Sequence, residues 1–355
     1  MNSIEATNYQ VHFQQKAFEK LNLYISKNKP SKVIVLVDEN TVKDCLPYFL
    51  LNLADHIQIE TIEIKAGEIH KNINTCVSVW KALTDLNTDR KSLLINLGGG
   101  MVTDLGGFVA STFKRGIKFI NIPTTLLSMV DASVGSKTGI DLGTLKNLIG
   151  LFSHPEMVLI DSAFLITVPK RELHSGLAEI MKYGLTYDTH LWNEIKLNSK
   201  LLDENLDSLI YRSVEIKNEV VLQDPKENGL RKILNFGHTI GHAIESYFLE
   251  STHKETLTHG EAIAIGMVIE GYFSSILLNF PKDELDSIKS TIIDFFGQVS
   301  ILKEDYEAII YLMKYDKKNT GATVNFVLLE NLAQFKIDCT VDHDLLIEGL
   351  NFYNQ

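Results

Sequence analysis

The chain has 355 residues, 45% of them hydrophobic and 22% charged, a length that favours two joined units and a composition that excludes a disordered or fibrous protein. Its formal charge of -11 excludes nucleic acid or an anionic membrane as the main partner, because both are bound through an excess of Lys and Arg. An anionic small substrate would need a local basic pocket. In chain order, SKVIVLVDENT, HIQIETIEIKAGE, a helical stretch over 77–86 and SLLINLGGG alternate β-branched runs with helical spacing, which predicts a parallel sheet with crossover helices. KFINIPTT and EMVLIDSAFL read as two further strands. Chemistry in such sheets gathers at the strand C-terminal ends. Beyond Pro169 the pattern becomes helical over 171–183, 201–222, 231–248 and 261–278, interrupted at Gly229 and in the polar stretch 250–256. The expected architecture is an α/β, Rossmann-like domain over 1–168 and a mainly α-helical domain over 169–355.

Cys45, Cys76 and Cys339 are unclustered and form no C-x-x-C pair, so reduced buried thiols are expected rather than a disulfide framework. The opening MNSIEATNYQVHFQQKAF lacks a charged start followed by an apolar run, and no stretch reads as the roughly 20 apolar residues of a membrane span. A cytoplasmic protein with no membrane partner is expected.

Three constellations carry chemistry. Gly98, Gly99 and Gly100 follow a strand and open a helix, the arrangement in which backbone N–H groups and a helix dipole receive a phosphate. Thr103 stands where a G-x-G-x-x-G fingerprint has its third glycine, so a simple tight turn is the equal alternative. Asp38 ends the first strong strand, where a carboxylate holds a ribose or caps a helix. His238 and His242 lie at i and i+4 on one helix face, with His259 and Glu261 following, and Glu179 offers an oxygen ligand; together they predict a metal site. Spacing alone pairs His238 with His242. Finally, Arg115, Lys137, Lys146, Lys182, Lys217 and Arg231 sit among glycines and small residues, which suggests an internal anion site; a solvated surface is the alternative for any one of them.

Read in order, GGGMVTDLGGFVASTFKRG, IPTTLLSMVDASVGSKTGID, PKRELHSGLAEIMKYG, LNFGHTIGHAIE, HGEAIAIGM and DKKN resemble the 3-dehydroquinate synthases. The resemblance runs from about Asp38 to Asn319. It implies a cytoplasmic homodimeric lyase of the shikimate pathway that uses NAD and one divalent metal, zinc or cobalt. The implied reaction closes an anionic sugar-acid phosphate, 3-deoxy-arabino-heptulosonate 7-phosphate, into 3-dehydroquinate with loss of phosphate.

Position by position, the resemblance implies that Asp38, Glu68 and Lys71 hold the adenosine end of NAD, with Gly99, Gly100 and Asp104 at the pyrophosphate and nicotinamide ribose and Thr124 and Thr125 nearby. It assigns the metal to Glu179, His238 and His259, and gives His242 to substrate and proton handling, against the pairing that spacing favours. Asp131, Lys137, Lys146, Asn147, Lys182, Lys217, Arg231, Asn235 and His242 match substrate positions, as does one of Lys317 and Lys318. Arg115 matches an arginine that reaches the phosphate across a dimer interface. Ser136 departs from a glycine common in the family, and the stretch between His242 and His259 is a few residues long. Another sugar phosphate cyclase, a metal-dependent polyol dehydrogenase and a non-catalytic NAD-binding protein are the competing readings.

Overall fold

The computed structural model describes residues 1–143, 145–198, 201–313 and 324–355, apart from the side chains of 201–204. The chain forms two compact units: residues 1–169 with Ile210–Asn218, and Lys170–Leu209 with Glu219–Gln355. That a piece of the helix Leu201–Gln223 belongs with the first unit has no signature in the apolar spacing of 201–222.

The first unit contains β1 (Ile4–Glu5), β2 (Gln10–Phe13), β3 (Val33–Asp38), β4 (Glu60–Ile64), β5 (Leu93–Gly98), β6 (Lys118–Pro123), β7 (Lys137–Leu142), β8 (Leu145–Phe152) and β9 (Met157–Ile160). Seven of these form one sheet in the order β1-β2-β9-β6-β5-β3-β4, parallel except for β1 on β2. Every residue of β3 and β5 is buried, as expected for parallel strands covered on both faces. The stretch EMVLIDSAFL is a strand only as far as Ile160; Asp161 then caps a 3-10 turn over Ser162–Thr167 through its bond from the Ala163 N–H.

The phrases around Lys137 and Lys146 form a separate antiparallel hairpin, β7 on β8, with Gly139 opposite Gly150. Its small residues have a packing cause. A Cβ on Gly150 would stand 2.4 Å from the Thr138 carbonyl, and one on Gly107 would meet the Thr138 methyl at 2.5 Å.

The second unit is built around the helix His259–Leu277, against which pack Lys170–Thr186, His238–Glu250, Lys282–Phe296 and His343–Asn354. It also holds an antiparallel pair, β10 (Phe326–Asn331) and β11 (Gln334–Cys339), which helical spacing did not announce. By length and composition His259–Leu277 is apolar enough to span a bilayer, and 72% of that window is buried inside the protein, as in a core helix. The helix expected over 231–248 is also interrupted. A 3-10 turn covers Leu230–Asn235, and a new helix starts at His238 after Gly237, whose φ of +77° ends the first run.

Candidate active-site residues in the two units

In the first unit the register of β5 on β6 sets Gly98 opposite Pro123, so the glycine run and Thr124-Thr125 leave the sheet side by side; the Thr124 N–H donates to the Gly98 carbonyl at 3.0 Å. The helix Gly100–Thr112 begins at Gly99 with no side-chain cap. Its first-turn N–H groups are therefore available to an anion, reinforced by the helix dipole. Bulk is excluded here: a Cβ on Gly99 would press on Thr125 at 3.0 Å. Asp38 shows the capping geometry, with Oδ1 accepting from the N–H groups of Asn40 and Thr41 at 3.0 and 2.8 Å.

Lys71 lies at the centre of a buried charge network. Its ammonium donates to Asp104 at 2.7 Å and to the Asn147 side-chain oxygen at 2.6 Å, and stands 3.6 Å from Glu68, which in turn faces Lys146 at 3.5 Å. Burial opposes the Lys71 charge, but Asp104 and then Glu68 and Asp141 outweigh it and raise the ammonium above its ordinary value. Asp104 is pushed up by burial, only partly offset by Lys71. Asp141, missed in the sequence, ties the network to the backbone: its N–H donates to the Lys71 carbonyl at 2.8 Å, and its carboxylate accepts from the Asn147 N–H at 2.6 Å. Asn147 needs that anchor because its φ is +51°. Burial raises Asp141 to about 6.

Asp131 and Lys217 are brought together, with the ammonium 2.8 Å from the carboxylate and 2.6 Å from the Asp131 carbonyl. Lys137 begins β7, immediately after Ser136, whose φ of +65° lies in the left-handed region that favours glycine and whose hydroxyl sits 2.6 Å from His154 Nδ1. Arg115 is exposed in a turn where Lys114, Arg115 and Gly116 all have positive φ. Such strain persists only where surrounding structure enforces it.

In the second unit Glu179, Lys182, His238, His242 and His259 gather. The helix carrying Glu179 meets the start of the His259 helix so closely that a Cβ on Gly260 would stand 2.2 Å from the Ser175 carbonyl. Thr258 and Glu261 form a reciprocal capping box there, with Arg171 bonding both Glu261 oxygens, which fixes His259 as the first helical residue.

Glu179 is fully buried, and its Oε1 makes no hydrogen bond. The Nε2 atoms of His238 and His259 lie 3.4 and 3.5 Å from that oxygen. Both rings are turned by their other nitrogens: His238 Nδ1 is 3.1 Å from the Phe236 carbonyl, and His259 Nδ1 is 3.3 Å from the Glu245 carboxylate. In a tetrahedral site with bonds of about 2.1 Å, donors stand about 3.4 Å apart. The residues present therefore fit a divalent cation. His242 is near, its ring centroid 5.2 Å from that of His238, and donor nitrogens of the three histidines lie within 4.8 Å of one another.

Burial alone would raise the Glu179 carboxyl, but Lys182, which bonds its other oxygen, and then His238 hold it well below the usual range. Burial alone would depress His259, yet Glu245 and Glu179 raise it to about 9. Arg231 is buried and donates to the Pro225 carbonyl at 2.9 Å, and Asn235 donates to Glu227 at 2.8 Å. Lys317 and Lys318 lie outside the described residues.

Glu245 and Glu270 escaped the sequence reading, although Glu270 is a lone acid inside the apolar run AIAIGMVIEGYF. Such an acid signals a buried partner.

Two family profiles, 3-dehydroquinate synthase N-terminal and 3-dehydroquinate synthase C-terminal, match residues 61–175 and 176–319. A 3-dehydroquinate synthase of Parabacteroides distasonis is 40% identical over 95% of each chain. Among solved structures, a 2-deoxy-scyllo-inosose synthase complexed with carbaglucose-6-phosphate, NAD+ and Co2+ superposes with a TM-score of 0.86 at 24% identity, covering 98% of this chain and 99% of that one. The 2-epi-5-epi-valiolone synthase of Streptomyces hygroscopicus, with NAD+ and Zn2+ bound, gives 0.85 at 22%, covering 100% and 99%.

Asp141 yields a prediction. Its folded-state pKa is raised, so its contribution to stability is present below about pH 4 and is lost as pH rises through about 6. Asp141→Asn should therefore lie furthest below the parent in melting temperature near pH 4 and closer to it at pH 7.5, followed by circular dichroism. A gap that stays constant or widens contradicts the buried environment described.

Proposed function

Because the chain belongs to the 3-dehydroquinate synthase family, and is an enzyme that converts 3-deoxy-arabino-heptulosonate 7-phosphate to 3-dehydroquinate and phosphate, we propose that Glu179, His238 and His259 hold its divalent metal. The supporting observation is the buried Glu179 Oε1, without a hydrogen bond and at tetrahedral edge distance from two imidazole nitrogens. Bound metal supplies Lewis-acid polarisation of substrate hydroxyls, and bound NAD supplies reversible hydride acceptance, so no net oxidation remains.

The chain's own residues do the rest. The uncapped N–H groups after Gly99 and Gly100 receive the pyrophosphate of NAD, with Asp104, Thr124 and Thr125 beside it and Asp38, Glu68 and Lys71 toward the adenosine. Lys137, Lys146, Lys182, Lys217 and Arg231, with Asn147 and Asn235, neutralise and orient the substrate's carboxylate and phosphate. Asp131 fixes the Lys217 ammonium. His242 moves protons at the substrate oxygens, a task suited to an imidazole. The protein works as a cytoplasmic homodimer in which Arg115 serves the phosphate of the partner's substrate; the strained turn that exposes it supports this assignment.

Incubation with 3-deoxy-arabino-heptulosonate 7-phosphate, NAD and zinc should release phosphate without lasting NADH; a chelator should stop turnover, and zinc or cobalt should restore it. NADH accumulating with turnover would identify a polyol dehydrogenase instead, and absence of phosphate release would refute the synthase assignment.

For Arg115, an Arg115→Ala chain mixed with a Lys146→Ala chain should regain activity in the heterodimer, since one site is then complete. Heterodimers that form without recovery would place the arginine's action within its own chain.

A further inference from the structure

The helix His238–Glu250 starts without a cap of its own. Its N-cap is Gly237, which has no side chain to accept the first-turn N–H groups, and a first turn buried in this way requires some acceptor. Glu270 provides one from a different helix. Its Oε2 accepts from the Gly237 N–H at 2.7 Å, and its Oε1 reaches the Ile240 N–H at 3.4 Å, the N3 position that a capping side chain would serve. Glu270 has no exposed surface. A carboxylate there is costly unless bonded, and its negative charge at the N-terminal end of a helix is favourable to the dipole.

The helix that carries Glu270 is the one that begins with His259. One turn before Glu270, Gly266 lies so close to Gly237 that an added Cβ would stand 1.9 Å from the Gly237 carbonyl. Two successive turns of this helix thus clamp the residue that precedes His238. His238 and His259, whose ring centroids are 5.5 Å apart, are connected by this clamp.

We propose that Glu270 is a positioning residue for the metal centre: by capping the His238 helix from the helix that carries His259, it fixes the two imidazoles relative to each other and so sets metal affinity. The inference rests on the metal reading above and goes beyond it, since it concerns how the two helices that carry the imidazoles are held together.

Glu270→Gln keeps the size of the side chain and one acceptor oxygen but removes the charge. In the full-length protein, zinc affinity measured by competition with a chromogenic chelator should fall about tenfold, the low end of what losing a group that orients metal ligands costs. Melting by circular dichroism, with and without zinc, establishes that the variant is folded. Should Glu270→Gln not fold, Glu270→Asp, which keeps the charge and loses the reach, is measured in its place and should also bind zinc more weakly. A folded variant whose zinc affinity lies within twofold of the parent's overturns the proposal and leaves the metal site standing. Failure of both variants to fold makes Glu270 a scaffold residue and likewise overturns it. A parent protein that binds no zinc overturns the metal reading and this inference together.

Discussion

A fully buried carboxylate oxygen, Glu179 Oε1, makes no hydrogen bond and faces the Nε2 atoms of two imidazoles. A buried carboxylate oxygen held at ion-pair distance from two imidazoles without a well-formed hydrogen bond is costly, so the surrounding chain must enforce the arrangement. It does so with helix packing. Gly260 lets the His259 helix touch the backbone at Ser175, four residues before Glu179, and Gly266 lets the same helix touch Gly237, next to His238. Each imidazole is then turned by a partner on its Nδ1, the Phe236 carbonyl for one and Glu245 for the other. The ionised state of Glu179 is secured by Lys182 on its second oxygen. These features are what a cation held by three protein groups requires: an ionised carboxylate, fixed imidazole orientations and an oxygen directed at both rings.

The first unit uses the same economy of buried charge for a different end. Lys71 joins Asp104, which follows the glycine run, to Asn147 on the hairpin, and Asp141 anchors both ends of that link through backbone bonds. A buried ion pair of this kind is weak evidence for stability, but removing one partner leaves a buried charge uncompensated at a cost of about 3–5 kcal/mol. The network therefore specifies one arrangement of the glycine loop and hairpin. The hairpin's glycines, which suggest anion binding when read as sequence, are required by the close backbone approach of β7 and β8. The two explanations are compatible, since a tight hairpin also presents Lys137, Lys146 and Asn147 at fixed positions.

Legibility in the sequence followed the range of the interactions concerned. The parallel sheet and the strand-glycine-helix turn at Gly98 were readable because β-branched runs and glycines act locally. The break at Gly237 was not, since the apolar pattern runs through it and only the φ of +77° stops the helix. Spacing found His238 and His242 as neighbours on one helix, a local fact; Glu179 comes from another helix and could be named as an oxygen donor, but only the matched phrases put it with His238 and His259 in place of His242. Asp141, Glu245 and Glu270 act through partners distant in the chain, and none has a spacing signature. The apolar His259–Leu277 helix was legible as a helix, and burial of 72% of its window accounts for a composition that would also suit a bilayer.

The account depends most on which groups hold the metal. X-ray absorption at the zinc edge of the reconstituted protein counts imidazoles directly, because ring atoms beyond the donor nitrogen scatter distinctly. Ligation by Glu179, His238 and His259 predicts two imidazoles with the remaining positions filled by oxygen, and the same count in His242→Ala. Three imidazoles in the parent, falling to two in His242→Ala, would contradict it and make His242 a ligand.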